Sequence, residues 1–324
     1  MLEVRKQGEQ MLAVTIENTD LIVTEVPDPV LGPDDVLVGV RAAGINAADL
    51  LQRRGLYPAP PGSPEHIPGL ELAGTVLSYG AEVSGFAEGD RVMAVVGGGG
   101  QAERCVVHSS NLLRVPDAVD DLTAGGFAEA FITAHDAMVT RGGLQEGSRV
   151  LVTGAAGGVG TAAIQIGALF GAEVVASVRD ATRRNDVLAL GAQHAVDPGE
   201  VADYGPFDLV LELVGAASLS DGVLRSLAKE ARVVVIGVGG GSRIDVDLLG
   251  LMNARATIGG ATLRPRSIEE KARAIHAAGD DLLDALAAGK LRVPLLATFP
   301  LTEAPRAYDR FAQGSKFGKI VLSI

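Results

Sequence analysis

The feature that most constrains this chain is a strand that runs into a glycine loop and then into a helix. Arg149-Val150-Leu151-Val152-Thr153 reads as a buried strand, Gly154-Ala155-Ala156-Gly157-Gly158-Val159-Gly160 as the loop, and Thr161-Ala162-Ala163-Ile164-Gln165-Ile166 as the helix. Against the G-x-G-x-x-G spacing, Ala155 stands in place of the first glycine, Gly157 lets the backbone approach a pyrophosphate, and Gly160 lets the helix pack on the strand. The helix N-terminus adds free N–H groups and the positive end of a dipole. Ala156, Gly157, Gly158, Val159 and Gly160 are therefore candidates for binding a dinucleotide cofactor. A plain strand–helix turn has the same local pattern, so the surroundings must decide.

Those surroundings repeat the unit. Strands are expected at 149–153, 173–178, 194–197, 207–214, 232–237 and 256–260, and helices at 158–170, 181–190 and 217–229, with Gly171 and Gly191 placed as helix-ending glycines. Alternating strands and helices imply an α/β fold with a doubly wound parallel sheet, a Rossmann arrangement. Ligands of such sheets lie outside the carboxyl ends of the strands, which adds Val214, Gly215, Ile236 and Gly237 as backbone contacts for the cofactor. Residues 1 to about 120 differ: their apolar runs are short and strand-like, between turns of Pro, Gly and Asp. After residue 262 come a helical stretch at 267–289, a strand at 295–299, a short helix after Thr302 and a closing strand at 319–324. Glycine supplies 42 of 324 residues, well above the usual share of about 7%.

Charge and cysteine content narrow the function. With 28 basic and 40 acidic residues the net charge is −12, which works against nucleic acid and anionic membranes as partners. Residues 150–172 carry no charge, yet six of these 23 are glycine, so a membrane span is rejected. The start of the chain shows no apolar signal-peptide core, and the single cysteine, Cys105, excludes an intrachain disulfide; both suit a cytoplasmic protein.

The strand ending at Ser177 and Val178 has no carboxylate at its end, where an acid would take a ribose 2′-hydroxyl, and continues into Arg179-Asp180-Ala181-Thr182-Arg183-Arg184. Arginines at that place suit a 2′-phosphate, so Ser177, Arg179 and Arg183 are assigned to the adenosine ribose and the cofactor is expected to be NADPH. Asp180 remains an alternative partner for a 2′-hydroxyl.

Several stretches resemble the zinc-independent medium-chain dehydrogenase/reductases, in particular the quinone oxidoreductases related to zeta-crystallin. They are residues 42–57, with Asn46-Ala47-Ala48-Asp49 and Gly55-Leu56-Tyr57; Gly69-Leu70-Glu71-Leu72-Ala73-Gly74; Gly98-Gly99-Gly100-Gln101-Ala102-Glu103; the loop and helix at 154–166; Leu263-Arg264-Pro265-Arg266; and Gly318-Lys319-Ile320-Val321-Leu322. The p53-inducible branch of that family shares the Asn-x-x-Asp, Gly-x-Tyr and Gly-Gly-Gly-Gln-Ala stretches. The resemblance implies a GroES-like β-rich substrate domain built from residues 1–124 and 262–324, around a Rossmann NADPH-binding domain at 125–261. The zinc-using branch has Cys where this chain has Asn46 and His where it has Leu70, so no metal is expected.

By resemblance Tyr57 faces the substrate and donates a hydrogen bond or relays a proton, although a loop anchor among prolines is as good a reading. Asn46 bridges ribose or substrate; Asp49 caps a short helix; Glu71 holds a buried polar contact. Thr133 matches a position near the nicotinamide amide, with a helix-surface threonine as the alternative. Lys319 reaches the cofactor unless it is an ordinary surface lysine. The expected function is hydride transfer from NADPH to a quinone or related conjugated carbonyl compound. Enone or 2-enoyl-thioester reduction and non-catalytic NADPH binding are the alternatives. The strand around 256–261 is expected at a sheet edge, where related reductases pair two copies into a homodimer.

Overall fold

The computed structural model describes residues 10–324. In chain order the elements are β1 (Gln10–Glu17), β2 (Asp20–Pro27), β3 (Asp35–Ile45), α1 (Ala47–Arg53), β4 (Glu71–Tyr79), β5 (Arg91–Val95), β6 (Arg104–His108), β7 (Leu112–Arg114), α2 (Asp121–Gly125) and α3 (Ala128–His135). They continue as β8 (Arg149–Val152), α4 (Gly158–Leu169), β9 (Glu173–Ser177), α5 (Arg184–Leu188), β10 (His194–Val196), β11 (Phe207–Glu212), α6 (Asp221–Arg225), β12 (Leu227–Val235), α7 (Leu248–Ala254) and β13 (Thr257–Gly260). The last are α8 (Ile268–Ala287), β14 (Leu295–Pro300), α9 (Ala304–Ala312) and β15 (Lys319–Ser323).

The chain divides into two compact units. One comprises the residues up to Glu129 together with Arg264–Gly314 and Lys319–Ile324; the other comprises Ala130–Leu263 and Ser315–Gly318. The sequence places the middle domain at 125–261. The division falls instead within α3 and just before Arg264, and the short segment Ser315–Gly318 joins the middle unit by a bond from Gly318 N to Ala156 O of 2.9 Å. Hydrophobic pattern carries no mark of such a backbone contact.

The first unit is β-rich. Its seven-stranded sheet runs β14-β15-β3-β4-β5-β7, with β6 also paired to β3. Valines and alanines of β3, β4 and β5 alternate inward around Leu72, Cys105 and Leu112, while Tyr308 and Phe311 of α9 cover Ile45, Ile320 and Leu322. Two registers matter for the site. β15 lies antiparallel to β3 with Ile320 opposite Ile45, which places Lys319 level with Asn46. Glu71 opens β4, and a side chain at Gly44 would place its Cβ 2.1 Å from Glu71 Oε1, so glycine is what allows Glu71 to lie across β3.

The second unit is the parallel sheet, in the order β10-β9-β8-β11-β12-β13, with β13 at one edge. β8 and β11 are central and apolar throughout their middles, as strands covered on both faces must be. The helix expected at 217–229 is only Asp221–Arg225. Ser220 caps its start, Ser226 closes it, and Leu227 already pairs with Phe207, so sheet pairing claims the residues that helical pattern had been assigned. The expected helix at 181–190 likewise splits into a one-turn 3-10 segment at Ala181–Arg183 and α5. Among the described residues no helix is long and apolar enough to cross a membrane.

Candidate functional site

Each unit carries one concentration of functional groups. In the parallel-sheet unit it lies where β8 gives way to α4. Gly154 takes φ +58°, Gly157 caps α4, and Ala155 N donates to Ser177 O at 3.2 Å, tying the loop to the end of β9. The two glycines assigned from sequence prove unlike. A Cβ on Gly160 would lie 2.6 Å from Ala155 Cα, so this glycine is demanded by helix–strand packing. A Cβ on Gly157 would meet only Gly154 O at 3.4 Å, an ordinary contact, so nothing in the protein demands glycine there. The open ground above Gly157 is what close approach of a pyrophosphate requires. Ala156, Gly158 and Val159 are half-buried around it.

Thr133 of α3 supplies a second sign of a ligand: its Oγ1 is buried and has no hydrogen-bond partner among the described residues. Loops after β11 and β12 complete the cradle. Gly215 takes φ +105° and its Cβ would meet Gly241 O at 2.4 Å, while a Cβ on Gly237 would meet Leu213 O at 2.1 Å. Gly240 N donates to Val214 O at 2.7 Å and Ala216 N to Gly241 O at 2.9 Å, so the loops holding Val214, Gly215, Ile236 and Gly237 are zipped together. These residues fit a nicotinamide dinucleotide.

At the end of β9, Asp180 is engaged locally through one carboxylate oxygen. Its Oδ1 accepts from Thr182 N at 3.1 Å and Thr182 Oγ1 at 2.7 Å, bonds that hold the carboxyl below its usual range. Arg179 is exposed beside the buried Ser177. Arg183 spends one nitrogen on Asp186 at 3.2 Å, and Arg184 pairs with Asp197 at 2.9 Å.

The β-rich unit gathers side chains instead. Lys319 is 3% exposed and Glu71 fully buried; the Lys319 ammonium contacts Glu71 Oε1, Asn46 Oδ1 at 2.6 Å and Ile45 O at 3.4 Å. Asn46 Nδ2 donates to the same Glu71 Oε1 at 3.0 Å, which among the described residues leaves one amide hydrogen of Asn46 uncommitted. Glu71 Oε2 accepts from Glu129 N at 2.9 Å. Lys319, assigned from sequence to the cofactor, thus has its amine committed to Asn46 and Glu71. Glu71 holds the buried polar contacts expected of it. Asp49 also does what was expected, accepting from Asn46 N at 2.7 Å at the head of α1, and adds a bond from Gly69 N at 3.1 Å.

Three groups here escaped the sequence reading. Arg264 is almost wholly buried: Nε donates to Gly97 O at 2.8 Å, Nη1 to Tyr57 O at 2.9 Å and Nη2 to Gln52 Oε1 at 2.7 Å, with its guanidinium 5.1 Å above the Tyr57 ring. It therefore fixes the Tyr57 loop from above and behind. Glu129, half-buried, is pushed up to about 8 by burial and by Glu71. Burial lowers the Lys271 ammonium, with Glu129 opposing the effect. Burial, then Glu129, raises the Tyr57 phenol, which keeps it a proton donor over the neutral range. Asp49 is pushed up to about 6 by burial. The lone charge of Glu129 in the apolar run 127–134 was the signal available in the sequence. No group of three or more His, Cys, Asp or Glu side chains capable of holding a metal occurs among the described residues. Cys105 is buried in the sheet core and burial pushes its thiol up to about 12.

Comparison with known proteins agrees with this architecture. Residues 32–142 match the alcohol dehydrogenase GroES-like domain and residues 190–322 match the zinc-binding dehydrogenase family. The chain is 31% identical to quinone oxidoreductase-like protein 2 of Bos taurus, over 94% of this chain and 89% of that protein. It is 33% identical to a phenolphthiocerol/phthiocerol polyketide synthase polypeptide of Mycobacterium tuberculosis, over 90% of this chain but 14% of that protein. A probable oxidoreductase from Mycobacterium abscessus superposes with a TM-score of 0.84 at 34% identity, covering 98% of this chain and 100% of that one. An α/β parallel sheet with a glycine cradle, joined in one chain to a GroES-like β-rich unit, places this protein among the medium-chain dehydrogenase/reductases, as a nicotinamide-dependent oxidoreductase of the quinone oxidoreductase-like group.

Proposed function

We propose that the chain is an NADPH-dependent reductase that transfers hydride to a quinone or related conjugated carbonyl compound without zinc, acting as a cytoplasmic homodimer. The observation that carries the zinc-free reading is the Lys319 ammonium. Asn46 and Glu71, the oxygen-bearing groups at the position where the zinc-using branch gathers ligands, both turn an oxygen toward that cation. A site already holding a buried cation has no oxygen in that arrangement to spare for a second.

When bound, the nicotinamide supplies the hydride. The chain's own residues do the rest. Gly157 and the start of α4 accommodate the pyrophosphate; Thr133 Oγ1 offers a partner to the carboxamide; Ser177, Arg179 and Arg183 address the adenosine ribose. Two charge-assisted bonds of about 1.5–3 kcal/mol each would favour NADPH over NADH by roughly 100-fold or more. The Arg183–Asp186 pair makes Arg179 the leading contributor. In the β-rich unit the clamped Asn46 amide presents its remaining N–H in a fixed direction, and neutral Tyr57 provides a hydrogen bond or proton to the acceptor oxygen as charge develops. The edge strand β13 is where two copies would pair.

Reduction of an enone or 2-enoyl thioester on the same scaffold is the second reading, favoured by the polyketide synthase relative, since polyketide assembly works on acyl thioesters. NADPH oxidation measured over a panel of quinones, enones and enoyl thioesters, before and after prolonged chelation, tests both. Quinone-dependent turnover that chelation leaves intact is expected. Tyr57→Phe should cost little with quinones, whose product anion is stabilised, and about 10²-fold or more with enones. Turnover lost on chelation overturns the zinc-free reading. NADPH binding without turnover on any acceptor leaves a binding protein.

A further inference from the structure

We infer that Glu212, which lies at the end of a central strand and outside every motif of the sequence, is the positioning residue that holds the three loops of the dinucleotide cradle in register. The inference rests on the nicotinamide reading of that cradle and adds to it the group that sets its geometry.

Glu212 is the last residue of β11 and fully buried. Four donors converge on its Oε1: Thr153 Oγ1 at 2.9 Å, Val214 N at 2.7 Å, Gly215 N at 2.7 Å and Ser218 Oγ at 2.6 Å. Its main-chain carbonyl accepts from Ile236 N at 2.8 Å and Gly237 N at 3.2 Å. Thr153, the residue before the glycine loop, in turn accepts at Oγ1 from Leu213 N at 2.8 Å. The Glu212 side chain therefore ties the end of β8 to the loop after β11, while its main-chain carbonyl carries the pairing of β11 with β12 on into the loop after β12. Through Gly240 N to Val214 O the two loops are joined again.

The satisfaction of this carboxylate is uneven. Oε1 takes more donors than an oxygen has lone pairs, while Oε2 is buried with no partner among the described residues. A side chain optimised for its own stability would share the donors between both oxygens. This one is placed where the loops need a common anchor, at the sort of local cost that is concentrated at functional sites. Gly215 and Gly237 approach neighbouring backbone too closely for any Cβ, and the loop's own polar side chain, Ser218, fastens through Glu212 Oε1 and Gly215 O.

Calorimetric titration of the full chain with NADPH, well below its melting temperature, tests the inference. Glu212→Met keeps the length of the side chain but removes both acceptor oxygens, and Thr153→Val removes the hydroxyl that links Glu212 Oε1 and Leu213 N to the end of β8. Glu212→Met should weaken NADPH by about tenfold or more, and Thr153→Val by a few fold, as expected for losing hydrogen bonds that preorganise the site. Amide exchange should quicken at 213–218 and 236–241 in both variants while the β8 and β9 core stays protected, a pattern that general destabilisation would not give. Wild-type affinity in Glu212→Met overturns the inference; should that variant not fold, wild-type affinity in Thr153→Val overturns it. A wild-type chain that binds neither NADPH nor NADH would instead overturn the cofactor reading itself, and the inference with it.

Discussion

The parallel-sheet unit builds its site from backbone, and the β-rich unit builds its site from charge. In the cradle, glycines at 157, 215 and 237 bring main chain to the surface of the site and a single buried acid sets the loops. In the β-rich unit, Asp49, Glu71, Glu129, Arg264, Lys271 and Lys319 crowd within electrostatic reach of one another, three acids against three bases. A backbone site tolerates many side chains but fails on the addition of one Cβ. A charge site tolerates added volume poorly too, but its characteristic failure is the loss of one partner, which strands the other in a low dielectric.

The largest expected effect breaks the charge site. Lys319→Met leaves Glu71 buried without its cation and should cost about 3–5 kcal/mol, read as a large fall in melting temperature or denaturant midpoint. Replacing both, Glu71→Leu with Lys319→Met, should recover most of that stability while activity stays low, because Asn46 loses the groups that orient it. A single variant as stable as wild type would mean that the pair is not electrostatically isolated.

A smaller effect separates two glycines within the cradle. Gly160→Ala drives a methyl into Ala155 and should cost about 1–3 kcal/mol of stability. Gly157→Ala meets ordinary contact distances, so it should melt like wild type and instead lose cofactor affinity, by an amount that titration with NADPH reads directly. Equal melting temperatures for the two, or equal affinities, would erase the distinction between a packing glycine and a ligand glycine.

The same contrast explains what the sequence disclosed. The glycine spacing marked the β8 loop, and the alternation of strands and helices around it, which gave the parallel sheet, separated the dinucleotide reading from a plain strand–helix turn. Neither placed the end of α6, where Leu227 joins the sheet against local helical pattern. Lys319 looked like a surface lysine or a cofactor ligand because nothing in its neighbours along the chain indicates that β15 sets it level with Asn46. Glu212 was invisible for a related reason: its six contacts come from Thr153, Val214, Gly215, Ser218, Ile236 and Gly237, and the meaning of an acid at a strand end appears only when three strands lie side by side. Arg264 sat in a recognisable stretch, yet its role depends on Gln52, Tyr57 and Gly97, far away in the chain.

The smallest effect sharpens the comparison through pH. Glu129 is pushed up to about 8 from 4.5 by burial and by Glu71, against the opposing pull of Lys319 and Arg264, with Asp49 adding to the rise. The folded chain therefore holds this proton more tightly than the unfolded chain does. That contribution to stability is complete below the unfolded value and is lost as pH rises through about 8. Asp49 has the same sign, but its loss is nearly over once pH has passed about 6. Between about pH 6 and about pH 8 Glu129 should thus destabilise the wild-type chain progressively. Glu129→Gln, which cannot ionise, should show a flatter melting curve against pH over that window. Gly157→Ala, altered only in the backbone cradle, should run parallel to wild type throughout. If Glu129→Gln were to run parallel as well, Glu129 would be ionised in the folded chain across the neutral range, and the division of the molecule into a backbone site and a charge site would have to be redrawn around solvent reaching that carboxyl.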